Sequence, residues 1–318
     1  MKKGFRLLLC VFTAILMLSG LHLHSQSNDE TVSVFQADDT ARILKAGLIS
    51  TFMNERDFTM TPDMQQVFFT VNEGKAYAIV TMKKQEEGWS QPEIVSFNSA
   101  YHDIEPFVAP DGKTLFFASN RPRGADTAAA DFDIWKVERT ADGWGSPVNP
   151  GTPVNTDKNE FYPSVAANGN LYFTTHDDNI AVARRMDNGY QKPLLLPDSI
   201  NTNTGEYNAF IHPGEKYLLF SSHGWKQKFG RGDIFISYKK AAGGWTTPQC
   251  LDGRVNSPSI DMCPYVSPNG RLLFFSSRRK TDNFQQPSGY EDFKKMALRP
   301  GNGSLDIYVV KTGMLFNE

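Results

Sequence analysis

One short phrase recurs five times along this chain and leaves few folds open to it. An apolar or aromatic residue is followed by Asn or Ser, then Ser or Thr, then three unconstrained positions, then an acid. The copies are Ile49-Ser50-Thr51 with Glu55, Phe97-Asn98-Ser99 with Asp103, Val154-Asn155-Thr156 with Glu160, Ile200-Asn201-Thr202 with Glu206, and Val255-Asn256-Ser257 with Asp261. Each acid stands four residues after its Ser or Thr, and successive acids lie 46 to 57 residues apart. A repeat of that period belongs to propellers and solenoids.

The residues after each acid read as strand, tight turn, strand. After Asp103 come Phe107-Val108-Ala109, then Pro110-Asp111-Gly112, then Leu115-Phe116-Phe117. After Asp261 the turn is Pro268-Asn269-Gly270 and the second strand Leu272 to Phe275; after Glu206 the turn is Pro213-Gly214. Pro fixes φ and Gly accepts positive φ, so these triplets turn the chain, and the aromatic and branched runs beside them suit buried strands. A third strand opens on Asp133-Ile134-Trp135, Asp233-Ile234-Phe235 and Asp306-Ile307-Tyr308. A fourth follows an aromatic placed three residues before a Pro, as in Trp89 and Pro92, Trp144 and Pro147, Tyr190 and Pro193, Trp245 and Pro248. Pro fits an outer edge strand, which can spare a backbone donor.

Four antiparallel strands per unit, repeated radially, make an all-β fold, a single β-propeller. Five blades are expected, near 55–97, 103–154, 160–200, 206–255 and 261–310, with six as the alternative count. The first phrase, at Ile49, has no unit before it, and the last unit lacks its fourth strand. Residues 41–46 are therefore expected to supply that strand and close the ring without free edges. The propeller then takes up residues 41–318.

The chain starts Met1-Lys2-Lys3, continues with an apolar run from Leu7 to Leu18, and reaches small residues near Ser25. That pattern reads as a secretory signal peptide over residues 1–25, with 26–40 as a polar, flexible lead-in and no transmembrane span after cleavage. The 33 Lys and Arg nearly balance the 35 Asp and Glu, which argues against a nucleic-acid partner. Cys250 and Cys263 remain after processing, as two buried thiols or as a disulfide.

In a propeller the inner strand of each blade starts on one face, here called the top. The five acids Glu55, Asp103, Glu160, Glu206 and Asp261 precede the inner strands and fall on that face. Two readings of them stay open: carboxylates that tie down the links between blades, or a funnel that meets a polar ligand, a sugar or a divalent cation. The long loops between second and third strands return to the same face, where ligand sites collect. They carry Arg121 and Arg123, then Trp225, Lys226 and Arg231, then Arg278 and Arg279. Two residues beyond each acid the blades differ: Asp57, Glu105, Tyr162, Asn208 and Cys263. Asp57 and Glu105 could form the acid pair of a glycosidase, and His102, beside Asp103, is the one His placed to assist. No Gly-x-Ser-x-Gly, His-Glu-x-x-His, phosphate-loop or Cys-x-x-Cys pattern occurs, and no metal or cofactor site is otherwise indicated.

Ala109-Pro110-Asp111-Gly112-Lys113, then Leu115 to Arg121, then Asp133-Ile134-Trp135 resembles the WD40-like (PD40) repeat of TolB-type periplasmic propellers. The resemblance covers about residues 41–310. It implies an exported protein of the periplasm or outer surface of a Gram-negative bacterium, a monomer without catalysis that binds a protein or glycan of the envelope. A glycoside hydrolase-like propeller is the alternative function.

Overall fold

The computed structural model describes residues 35–124, 128–225, 229–281, 286–313 and 315–316. Five four-stranded antiparallel sheets form a ring, each sheet beside the next through its inner strand. Blade I comprises Asn54–Met60, Gln66–Glu73, Ala76–Lys83 and Glu93–Ile94. Blade II comprises Asp103–Val108, Thr114–Ser119, Asp133–Thr140 and Gly143–Trp144. Blade III comprises Glu160–Val165, Leu171–Thr175, Ile180–Ala183 and Leu194–Leu195; a small hairpin, Arg185–Met186 with Gly189–Tyr190, hangs from its third strand. Blade IV comprises Glu206–Ile211, Tyr217–Ser222, Asp233–Tyr238 and Gln249–Cys250. The turns fall where Pro, Asp, Asn and Gly predict them; Gly112 and Gly270, for example, sit at φ +67° and +73°.

Blade V takes Asp261–Val266, Leu272–Ser277 and Asp306–Lys311 from the end of the chain and its fourth strand, Arg42–Ile43, from the beginning. Arg42 lies opposite Val309 and Ile43 opposite Tyr308. The expected closure of the ring by an N-terminal strand is thus observed, and five is the blade count. The lead-in is anchored before that strand: Phe35 is buried, its ring 5.2 Å from Phe274 and 5.6 Å from Trp89. Residues 1–25, expected to form a signal peptide, and residues 26–34 lie outside the described residues.

The cores lie between blades. Residues of the second strands, such as Phe68 of blade I with Phe117 of blade II, and Tyr172 of blade III with Phe220 of blade IV, share clusters between adjacent sheets and are almost fully buried. One short helix, α1 (Tyr290–Ala297), stands in the long loop between the second and third strands of blade V. No helix among the described residues is long and apolar enough to cross a membrane.

Candidate functional site

The repeated phrase is a two-way clamp. Its Asn faces back to the blade just completed: Asn155 Oδ1 accepts the Ile134 N–H at 2.9 Å and Asn155 Nδ2 donates to the Ile134 carbonyl at 2.9 Å. Asn201 holds Ile180 and Asn256 holds Ile234 in the same manner. Ser50 does this for Ile307, so the first copy of the phrase clamps the last blade. The next residue faces forward. The Thr156 hydroxyl donates to Glu160 Oε1 at 2.6 Å and its N–H to Oε2 at 3.2 Å. Thr51 binds Glu55 likewise, Thr202 binds Glu206 and Ser257 binds Asp261, while Ser99 N–H donates to Asp103. All five acids are buried. Each carboxylate is therefore already engaged by its own linker, which is what fixed spacing requires. Burial pushes Glu55 and Glu160 up to about 7, against the lowering effect of these hydrogen bonds.

The loop cations expected at the rim behave differently from one another. Arg121 turns inward: it donates to Asp103 Oδ1 at 2.6 Å and lies over Phe117 and Trp135, 5.0 and 5.3 Å from the ring centroids. Arg279 repeats this with Asp261 at 2.6 Å, over Phe275 and Tyr308. Arg123 grips Asp133 with two nitrogens and reaches Asp131 at 2.9 Å. These three are braces, because a buried carboxylate within reach outcompetes solvent for a guanidinium. Arg231 and Arg278 are exposed, and Lys226 lies outside the described residues. Trp225 packs on Phe235 with centroids 5.6 Å apart, in the place that Arg121 takes over Trp135. It is half-buried packing rather than an open platform. The two cysteines are free thiols, Cys263 fully buried and Cys250 partly so.

The second set of positions meets at the axis. Every inner strand carries a one-residue bulge: Asp57 and Phe58 stand against Phe69 alone, and the other four blades shift register at the corresponding place. The first bulge residue takes the left-handed conformation in all five blades, with φ of 61° at Asp57, 58° at Glu105, 48° at Tyr162, 51° at Asn208 and 57° at Cys263. None is glycine, and each such residue costs about 1 kcal/mol or more. The bulge brings all five side chains together under the top face, all buried.

The resulting cluster runs round the axis. Arg56 donates from Nε to Asp57 Oδ2 at 2.6 Å and from Nη2 to Glu105 Oε1. Glu105 Oε2 accepts the Tyr162 N–H at 2.7 Å, and the Tyr162 hydroxyl donates across the axis to the Pro264 carbonyl at 3.3 Å. The Cys263 thiol is 3.6 Å from Asn208 Oδ1, with the Asp57 carboxylate as its other neighbour. Asp57 Oδ1 is buried and accepts no hydrogen bond among the described residues. Burial, with Asp57 adding repulsion and Arg56 opposing both, pushes Glu105 up to about 7. Burial and then the Asp57 charge push the Cys263 thiol well up. Below the cluster Phe107, Phe210 and Tyr265 close the channel, with centroids 5.5 to 6.4 Å apart. The axis is thus blocked at the bottom and covered at the top by Arg56, whose side chain is 19% exposed. Among the described residues no three His, Cys, Asp or Glu side chains converge to hold a metal ion.

Above and beside the cluster lies an arc of half-exposed rings that pattern reading did not isolate. Tyr77 stacks on His102 at 4.3 Å, His102 faces Phe132 at 6.3 Å, and Phe132 meets Phe161 at 5.0 Å. On blade IV Tyr207 stacks on His223 at 4.6 Å. Asn120 and Asn159 fix the arc by accepting the backbone N–H of His102 and Phe132 at 2.9 Å each. Of the arc, the sequence singled out His102 alone, although Phe161 and Tyr207 each follow an acid of the repeat directly.

No family model matches this chain, and no curated protein does. Solved structures do match it. The catalytic domain of a GH62 α-L-arabinofuranosidase from Coprinopsis cinerea has a TM-score of 0.52 at 10% identity, over 81% of this chain and 90% of that one. A GH43 endo-arabinanase from Bacillus licheniformis has a TM-score of 0.51 at 10% identity, over 81% and 93%. A putative TolB from Agrobacterium tumefaciens has a TM-score of 0.46 at 14% identity, over 81% and 90%. At such identities the likeness is one of fold, and the fold is a β-propeller.

Proposed function

We propose that this chain is an exported, non-catalytic binding module of the bacterial cell envelope, akin to TolB-type propellers, and that it takes a glycan on its top face. The arc from Tyr77 through His102 and Phe132 to Phe161 carries this reading. Its rings are half-exposed and held by neutral Asn side chains. Stacked aromatic faces beside neutral hydrogen-bonding groups suit the alternating C–H and O–H surface of a sugar. An acidic peptide would want the cations that Arg121 and Arg123 instead commit to Asp103 and Asp133.

The glycosidase alternative assigns acid and base to Asp57 and Glu105. It needs both carboxyls open to substrate, with room for a nucleophilic attack or a water. Here Arg56 holds both at once, and both are buried. Calorimetric titration against a panel of envelope and plant glycans tests the reading. A binder should appear, and Phe132→Ala and Phe161→Ala should each weaken it at least about tenfold while thermal unfolding stays cooperative. Hydrolysis of any glycan that is abolished by Glu105→Gln would overturn the non-catalytic reading. A protein captured from envelope extracts whose affinity drops with the arc variants, in the absence of any glycan binder, would overturn the glycan reading.

A further inference from the structure

Helix α1 is built unlike the rest of the molecule. Propeller blades bury their apolar residues, yet this helix buries none. Tyr290, Phe293 and Ala297 lie on one stripe, at spacings of three and four, and the helix ends in Leu298. Tyr290 is 74% exposed, Phe293 59% and Leu298 60%. Asn302 joins this stripe to the link before blade I: its Nδ2 donates to the Ala297 carbonyl at 2.8 Å and to the Phe52 carbonyl at 3.1 Å. Phe52 is itself 43% exposed, so four large apolar side chains project together from the top face.

Charges border them, Glu291 and Asp292 in the first turn of the helix and Lys294 and Lys295 in its last. Lys294 lies 5.3 Å over the Tyr290 ring and pairs with Glu291 at 2.8 Å. Lys295 is exposed on the next position, and exposed Lys280 packs by its stem against Gly303, next to Asn302. A projecting apolar stripe flanked by lysines is the design of a helix that lies in a lipid interface, rings in the acyl boundary and ammonium groups among the headgroup phosphates. A second copy of the chain is a poorer fit. Eight residues of helix span only about 12 Å. A stable dimer needs about 800 Å² from each partner.

We propose that α1, with Phe52, docks the top face of this propeller on an anionic lipid surface. Tyr290, Phe293 and Leu298 enter the interface, and Lys280, Lys294 and Lys295 face the phosphates. The site is separate from the aromatic arc, and the proposal does not rest on the glycan reading.

Co-sedimentation of the full chain with vesicles tests it. Vesicles of phosphatidylethanolamine with phosphatidylglycerol should carry the protein down, and pure phosphatidylcholine should carry down roughly tenfold less at low salt. Phe293→Ser should reduce binding to the anionic vesicles at least about tenfold. Lys295→Glu with Lys294→Glu should do the same, and high salt should mimic that change. The apolar run of residues 7–18 is common to all these proteins. Equal binding of wild type and Phe293→Ser would therefore assign vesicle affinity elsewhere and overturn the proposal. As an independent readout, Phe293→Trp should blue-shift its emission with anionic vesicles, and an unchanged spectrum overturns the proposal too. Self-association of the wild type without lipid, abolished by Phe293→Ser, would make the stripe a contact between copies and equally overturn it.

Discussion

The Thr156–Glu160 pair offers a clean measure of what the repeated phrase contributes. Thr156→Val keeps the shape of the side chain and removes the donor 2.6 Å from Glu160 Oε1. Glu160 is 3% exposed, so water cannot replace that donor without opening the link between blades II and III. A hydrogen bond to a buried charged group is worth about 1.5–3 kcal/mol, and Thr156→Val should lose about that much. Glu160→Gln removes the charge and keeps an acceptor. The double variant should therefore be more stable than the two losses added together, by about 1 kcal/mol or more. The assay is urea unfolding of wild type, both single variants and the double variant, at pH 5 and pH 8. Acidity supplies a second arm. The folded-state pKa of Glu160 is about 7, above its ordinary 4.5, so the native state holds the proton more tightly. Its stabilising share is complete below pH 4.5 and is lost as pH rises through 7, at most about 3 kcal/mol and less where water reaches the carboxylate. Glu160→Gln should flatten that part of the pH dependence. A coupling below about 0.5 kcal/mol, with the same pH slope in wild type and Glu160→Gln, would refute the clamp.

Other outcomes follow from the axis. Arg56→Met leaves Asp57 and Glu105 buried without a counter-charge and should cost about 3–5 kcal/mol in denaturant unfolding, more at pH 9 than at pH 6, with Glu105→Gln restoring part of it. Asn208→Gly relieves a left-handed residue at φ 51° and should leave stability unchanged or raise it by up to about 1 kcal/mol, whereas Asn208→Val should lower the unfolding midpoint sharply. Burial raises both thiols, Cys250 to about 12, so mass spectrometry after iodoacetamide at pH 8 should find the native protein almost unlabelled and the urea-unfolded protein labelled at both. Rapid native labelling of Cys263 would mean that the axis opens.

The blades were legible because the phrase acts locally. Ser50, a copy with no blade before it, already implies that the chain's two ends share a blade, and it does bond Ile307. The bulge was legible only as a mismatch: five unlike residues, Asp57, Glu105, Tyr162, Asn208 and Cys263, between an acid two positions before and an apolar residue three positions after that recur in every blade. Little in their identity announces positive φ, since only Asp and Asn among them are familiar occupants of that region. Arg121 and Arg279 look like rim cations in a string of letters because their partners, Asp103 and Asp261, stand 18 residues away. Phe132 and Phe161 become neighbours only when blades II and III are set side by side. Helix α1 was hidden in a loop of mixed composition, where two turns of helix leave little periodicity to read.

The five bulges have a wider consequence. Their backbones are alike while their side chains are an aspartate, a glutamate, a phenol, an amide and a thiol. The main chain has thus become indifferent to what it presents at the axis, much as a keyboard is indifferent to the word typed on it. Substitutions at these five positions can rewrite the chemistry of the interior, from inert plug to acid pair to ligand pocket, while the clamps between blades stay as they are. In such a ring, a change of trade requires a handful of letters and no new architecture.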